Sequence, residues 1–92
     1  MTKRKRKPRP PACFVYVLGS HGPGGFKTYV GWTIDLEQRL GLHNAGTGAR
    51  STRGRVWTLL YAEACKTRRA AMSREWRLKR DRAFRKRLRS NL

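Results

Sequence analysis

Two short runs of aromatic and β-branched residues, Phe14 to Leu18 and Phe26 to Trp32, flank the segment Gly19-Ser20-His21-Gly22-Pro23-Gly24-Gly25. Nothing else in the chain restricts its fold as much. Runs of this kind read as strands, and so dense a turn cluster between them reads as the tip of a hairpin. Centring the connection on Gly22 and Pro23 sets Tyr16 directly opposite Tyr29, with both phenols on one face of the sheet.

The pattern then changes period. Asp35 followed by Gln38 forms a capping box and Gly46 supplies a stop, so a short helix is expected from Asp35 to Asn44. Ala45 to Arg55 holds too much Gly, Ser, Thr and Arg for regular structure and reads as a flexible basic loop. Val56 to Ala62 reads as a third strand. Thr67 can cap a helix through Ala70, Ala71, Met72, Trp76 and Leu78, and Asp81 can cap a last, basic helix over residues 82–89. The order β-β-α-β-α-α predicts an α+β fold, a three-stranded antiparallel sheet flanked by helices. Ninety-two residues allow one domain with one modest core.

Charge narrows the partner. Lys and Arg number 23 against five acids, a net charge of +18. Residues 1–11 carry +6 and residues 68–92 carry +9, so the ends hold most of it. A polyanion is implied, because each Lys or Arg set against a phosphate releases a condensed counterion. No apolar anchor marks a membrane protein. The proline-rich, basic stretch 1–11 is expected to be a disordered arm, with residues 12–92 forming the domain. The apolar run after the arm leads into a turn without a small-residue cleavage site. A cytoplasmic location follows as the default, although Lys3-Arg4-Lys5-Arg6-Lys7 would also serve as a nuclear localisation signal in a eukaryote. Cys13 and Cys65 lack zinc spacing and read as small buried residues.

With only five acids, each can be asked what it does. Asp35 and Asp81 are helix caps, Glu37 lies in a first helical turn where an anion is favoured, and Glu63 sits at a strand end. Glu75 has no local explanation. It shares the helix side of Ala71 and Leu78, where a carboxylate needs an Arg, a backbone donor or a metal ion; a plain salt bridge is the simplest of these. Arg39 and His43, four apart, border the apolar stripe of Leu36 and Leu40. They read either as a pair presented to one phosphate or as a helix edge with a solvated Arg and a satisfied His. Trp32, Trp57 and Trp76 could stack on bases but read as core in so small a domain.

The order of these groups resembles the GIY-YIG nuclease family: Phe14-Val15-Tyr16, then Tyr29-Val30-Gly31, then Arg39 and His43 in a helix, then a lone Glu75 in a later one. In particular it is similar to small stand-alone bacterial members related to the nuclease subunit of nucleotide-excision repair. The similarity covers about residues 13–80 and includes the loop GTGARSTRGR and the segment SREWRLKR.

What the resemblance implies is a metal-dependent endonuclease acting on phosphodiester bonds in DNA. One divalent ion, Mg²⁺ or Mn²⁺, would be held through Glu75. Tyr29 matches the proposed general base, Tyr16 the tyrosine that places the nucleophile, and Arg39 the arginine that meets charge on the scissile phosphate. His43 matches a histidine found in many members, and Gly31 a glycine that leaves space beside the site. Arg50, Ser51, Thr52, Arg53 and Arg55 of the loop, with Lys79 of the second helix, are the expected DNA contacts. A positive field and a nearby metal ion would both favour a phenolate at the base. Phe-Val-Tyr replaces Gly-Ile-Tyr, Val replaces Ile in the second motif, and Arg87 stands where some members use an asparagine.

A monomer is expected. The rival readings are a basic module of the same fold that grips nucleic acid without cutting it, and a subunit completed by a partner. Single-stranded and branched DNA both fit the expectation, and RNA carries the same phosphates.

Overall fold

The computed structural model describes residues 13–92, and the arm expected over residues 1–11 lies outside the described residues. β1 (Cys13–Gly22) and β2 (Gly25–Thr33) form the hairpin, and α1 (Leu36–Asn44) follows. A 3-10 turn at Arg50–Thr52 leads to β3 (Thr58–Cys65), α2 (Arg68–Arg80), α3 (Arg82–Arg87) and a closing 3-10 turn at Leu88–Asn91. The strands are antiparallel in the order β2-β1-β3. The chain therefore adopts the expected α+β arrangement.

β1 is the central strand and is buried on both faces, which is why its sequence is apolar without alternation. Val15 and Val17 pack with Ala71 and Leu78 of α2 and Leu88 of the closing turn. Tyr16 and Leu18 point the other way, to Trp57, Leu36 and Leu40. The sheet thus carries α2 and the C-terminal turn on one face, and α1 with the 45–57 segment on the other. α1 is closed at both ends by its own residues. Asp35 Oδ1 accepts from the Gln38 amide at 3.0 Å. Gly46, at φ 81°, ends it in a Schellman motif, with Gly46 N–H donating to His43 O and Thr47 N–H to Leu42 O.

Four expectations need correction. The hairpin turns at Pro23 and Gly24, with Gly22 paired to Gly25, so Tyr16 lies opposite Gly31 and Tyr29 opposite Leu18. Gly24 has φ 85°, the backbone that a Pro-Gly turn of type II requires. The slip is two residues, so the faces are preserved and the tyrosines become diagonal neighbours. β3 starts later and runs further than Val56 to Ala62. Asn44 holds the backbone of Trp57 through bonds to its N–H (2.6 Å) and its carbonyl (3.1 Å), which leaves Val56 80% exposed and delays the ladder. The last α-helix stops at Arg87 and tightens into a 3-10 turn. Of the tryptophans, Trp57 is buried and Trp32 packs against the core, but Trp76 is 58% exposed, with the Arg80 guanidinium stacked 3.7 Å above its ring. Its place on α2 turns it away from the sheet side marked by Ala71 and Leu78.

The loop read as flexible is anchored. Thr52 is fully buried, Trp57 Nε1 donates to Thr52 O at 2.8 Å, and Arg55 reaches across to the hairpin. Its guanidinium donates to Pro23 O (2.8 Å), Gly25 O (2.7 Å), Ser20 O (3.4 Å) and Ser20 Oγ (3.3 Å). Thr52 therefore has no surface to offer DNA, and four of the five Arg55 N–H donors are already committed. Of the cysteines, Cys13 is buried and Cys65 half-buried; they face each other across β1 and β3 as free thiols. Among the described residues no helix is long and apolar enough to cross a membrane.

Because Arg55 braces the hairpin tip, Arg55→Ala is expected to lower unfolding free energy by about 1–3 kcal/mol, the range for charge-assisted bonds left unmade. Urea denaturation measures it. Lysine at this position should recover little, since one ammonium cannot span four acceptors. A parental midpoint in Arg55→Ala would return the residue to the role of DNA contact.

Candidate active site

Tyr16 and Tyr29 reach the same side of the hairpin because their registers differ by two, and their ring centroids lie 6.3 Å apart. Gly31, opposite Tyr16, makes this possible. A Cβ there would stand 2.5 Å from the Tyr16 hydroxyl and 3.1 Å from Tyr29 Cε2, closer than atoms tolerate. Gly31 thus leaves the space that the two rings occupy.

Behind the phenols lies a polar chain. The Tyr16 hydroxyl and His43 Nε2 are 3.0 Å apart, and His43 Nδ1 is 2.8 Å from Thr52 Oγ1. Thr52 Oγ1 gives its one proton to Ala49 O at 2.8 Å, so it accepts from His43. Proton accounting then fixes the tautomer: Nδ1 carries the hydrogen, and Nε2 accepts from Tyr16. Burial first, and the nearby Arg39 charge second, hold the imidazole pKa below its ordinary value, which keeps it in this neutral form. Gly48 closes the other side, where a Cβ would stand 2.6 Å from His43 Nδ1.

His43 is 1% exposed. Of the two readings of Arg39 and His43, the satisfied histidine is the one found, and the imidazole is not presented to a phosphate beside the guanidinium. Arg39 is half-buried and opens into a groove of about 310 Å³ with Trp32, Thr33, Ile34 and Arg68. Tyr29 covers the imidazole, its ring centroid 4.7 Å from that of His43. Its hydroxyl has no hydrogen-bond partner among the described residues.

Glu75 on α2 completes the cluster. Its charge is close enough to raise both tyrosine pKa values, and that of Arg39 is close enough to oppose the rise. Burial is the largest cause for each phenol; for Tyr16 the neighbouring Tyr29 comes second. Both are held above the ordinary value of 10. Within the site itself burial and the Glu75 carboxylate outweigh Arg39, so the chain's own groups favour the protonated phenols.

Glu63 and Glu75 have opposite surroundings. Glu63, read as a strand-end residue, lies inside β3, and both its oxygens accept from Arg74 Nε at 2.9 and 3.0 Å, one of them also from the Tyr61 hydroxyl at 2.8 Å. Burial pushes its pKa up, but these bonds win and lower it. Glu75 has only Lys79, 3.7 Å away on a side chain 53% exposed. Such a pair is worth about 0–1 kcal/mol, so among the described residues the structural ion pair is Glu63 with Arg74. Arg50, Ser51 and Arg53 are exposed in the loop. The Gly48 and Thr52 contacts to His43 carry no signal in the residue pattern, since Thr52 lies nine residues away across an irregular turn.

The family model described as the GIY-YIG catalytic domain matches residues 12–88. The chain belongs to the GIY-YIG family. A UPF0213 protein of Clostridium perfringens is 47% identical over 67 residues, 72% of this chain and 69% of that protein. A UPF0213 protein of Streptococcus pneumoniae is 42% identical over 68 residues, covering 73% and 66%. One of Haloquadratum walsbyi is 50% identical over 52 residues, covering 55% and 58%. The matched stretch thus spans little more than half to about two thirds of these relatives, whose names state no activity. No solved structure matches the chain with significance. The match to a catalytic domain makes this a domain of nuclease type.

His43 generates a pH dependence. The unfolded chain protonates this residue as pH falls through about 6.5, while the folded GIY-YIG domain resists until a lower pH. Its contribution is therefore fully present above about 6.5 and is lost as pH falls towards the folded value. Thermal melts should show the midpoint dropping from pH 7 to pH 5, with a shallower drop in His43→Gln. An equal slope in parent and variant would clear His43 of the effect.

Proposed function

We propose that this GIY-YIG domain hydrolyses phosphodiester bonds in DNA with one divalent cation, Mg²⁺ or Mn²⁺, at Glu75. The observation that carries the reading is the Glu75 carboxylate, free of any hydrogen bond among the described residues, paired only weakly with Lys79 and close enough to two phenols to raise their pKa values. No cluster of three or more His, Cys, Asp or Glu side chains occurs among the described residues. A single carboxylate fits a hard cation that keeps several waters and shares the phosphate of its substrate, and does not fit zinc. When bound, such a cation would supply positive charge to phosphate oxygens as negative charge builds on them.

The chain's own groups divide the remaining work. Arg39, whose guanidinium opens into the groove, offers its planar fork to the scissile phosphate. Tyr29 takes the proton of the attacking water in this reading, which its unclaimed hydroxyl supports. Offsetting the Glu75 charge removes one of the two causes that keep this phenol protonated. Tyr16, whose proton goes to His43, keeps its oxygen lone pairs as acceptors with which to orient that water. His43 and Thr52 act through Tyr16 and are positioning residues.

Glu75→Gln is expected to abolish cleavage while leaving the melting temperature close to the parent's, because the Lys79 pair contributes so little. DNA binding should hold or tighten once a carboxylate beside the phosphate is gone, and EDTA should reproduce the loss of cleavage in the parent. A Glu75→Gln variant that still cuts at the parental rate would remove the metal role. A parent that binds DNA but cuts nothing in Mg²⁺ or Mn²⁺ would leave a binding module in place of a nuclease.

Arg39→Ala should slow single-turnover cleavage about 100- to 1000-fold, the usual cost of one transition-state donor, with a much smaller loss of affinity. Arg39→Lys should stay close to the alanine variant. If the lysine variant cleaves like the parent, Arg39 is one charge among many.

A further inference from the structure

On the other face of β2 from Tyr29, Phe26 and Thr28 line a pocket of about 380 Å³ with Arg82, Arg85, Lys86 and Arg89. Four cations meet there and no acid lines it. The nearest acid in sequence, Asp81, is engaged as a cap, its Oδ1 accepting from the Phe84 amide at 3.0 Å. Arg85 is fixed without a carboxylate. It donates to Leu78 O (3.0 Å), Lys79 O (2.8 Å) and Thr28 Oγ1 (2.9 Å), so its charge is oriented but not neutralised. Arg82, Lys86 and Arg89 are exposed and recur at helical spacing on one side of α3 and its closing turn. The Arg89 guanidinium lies 5.9 Å from the Phe26 ring centroid.

This arrangement works against the free protein. Arg82 with Lys86 and Arg85 with Arg89 are like-charged pairs four apart, and such pairs repel. A concave lining concentrates the potential further. Only an anion with several charges along its length offsets that repulsion, and a phosphodiester backbone has this form. Phe26, half-buried beside Arg89, adds a ring edge for a sugar or base.

The position of the pocket links it to the site. β2 is an edge strand, Thr28 is the neighbour of Tyr29, and the backbone carbonyl of Lys79, whose side chain pairs with Glu75, holds Arg85. The pocket thus adjoins the stretches of β2 and α2 that carry Tyr29 and Glu75. We propose that this pocket is a second backbone site, which holds phosphates flanking the bond at Tyr29, Arg39 and Glu75. The assignment rests on the nucleic-acid reading of the domain but not on its cleaving activity.

The test is binding, measured by fluorescence anisotropy in EDTA so that nothing is cut, with short and long single-stranded DNA over a range of salt. One variant replaces Arg82, Lys86 and Arg89 by Ala; a control replaces the exposed Lys66, Arg69 and Arg77, which removes the same charge elsewhere. In the parent, affinity should rise with oligonucleotide length. The pocket variant should lose most of that gain, and its slope of log affinity against log salt should fall by about 2, near 0.7 for each lost phosphate contact on a single strand. The control should keep the gain in length. The proposal is overturned if both variants lose it equally, if neither does, or if the pocket variant loses binding to phosphatidylserine vesicles while its DNA binding stays parental. A parent that shows the length effect but cleaves in neither Mg²⁺ nor Mn²⁺ would end the nuclease reading and leave this site standing.

Discussion

The hydrogen-bonded chain from Tyr16 through His43 to Thr52 holds the active side of this domain together. Each member is buried, and each would carry a heavy desolvation cost without the next. The chain also ties three separate pieces of structure: the central strand, the short helix and the irregular segment before β3. With Trp57 Nε1 donating to Thr52 O and Asn44 gripping the Trp57 backbone, it makes a rigid wall from a stretch rich in glycine. The functional groups then fall into two layers. Tyr16, His43 and Thr52 are hidden and fixed, whereas Tyr29, Arg39 and Glu75 lie in front of them with polar atoms still uncommitted.

The scarcity of acid in the chain gives this division its meaning. Three of the five acids are consumed by the fold: Asp35 and Asp81 as caps, Glu63 by Arg74 and Tyr61. Glu75 is only weakly engaged, in a protein with 23 cations available to pair with it. A carboxylate that stays weakly paired under those conditions is positioned by α2, whose buried Ala71 and Leu78 determine where the helix lies against the sheet. Packing, rather than charge, sets its place.

Much of the architecture is legible in the residues because its determinants are local. The Asp35 and Gln38 cap, the Gly46 stop, the Thr67 and Asp81 caps and the glycine-rich hairpin tip all act within a few residues. The hairpin's register differs by two from the expectation because both Gly22-Pro23 and Pro23-Gly24 can serve as a turn, and only the backbone of Gly24 decides between them. What depends on distant partners is not legible. Arg55 has the residue type of a DNA contact, but its carbonyl acceptors lie about thirty residues away in the chain. Thr52 has the polarity of a surface residue, yet His43 and Trp57 enclose it. Trp76 falls outside the core because position on a helix outweighs side-chain size. Within the site the residue types follow from their order along the chain. Their division into exposed and buried does not, since it depends on how α1 sits over the sheet.

One consequence lies in the position of Glu75 late in the chain. Domains acquire their N-terminal parts first during synthesis, so the tyrosines, Arg39 and His43 leave the ribosome before β3 and α2. A nascent chain therefore carries the cationic and phenolic groups for some time without its weakly paired carboxylate. Chemistry that needs that carboxylate has to wait until α2 docks on a completed sheet, and the same packing step that finishes the fold also assembles the site.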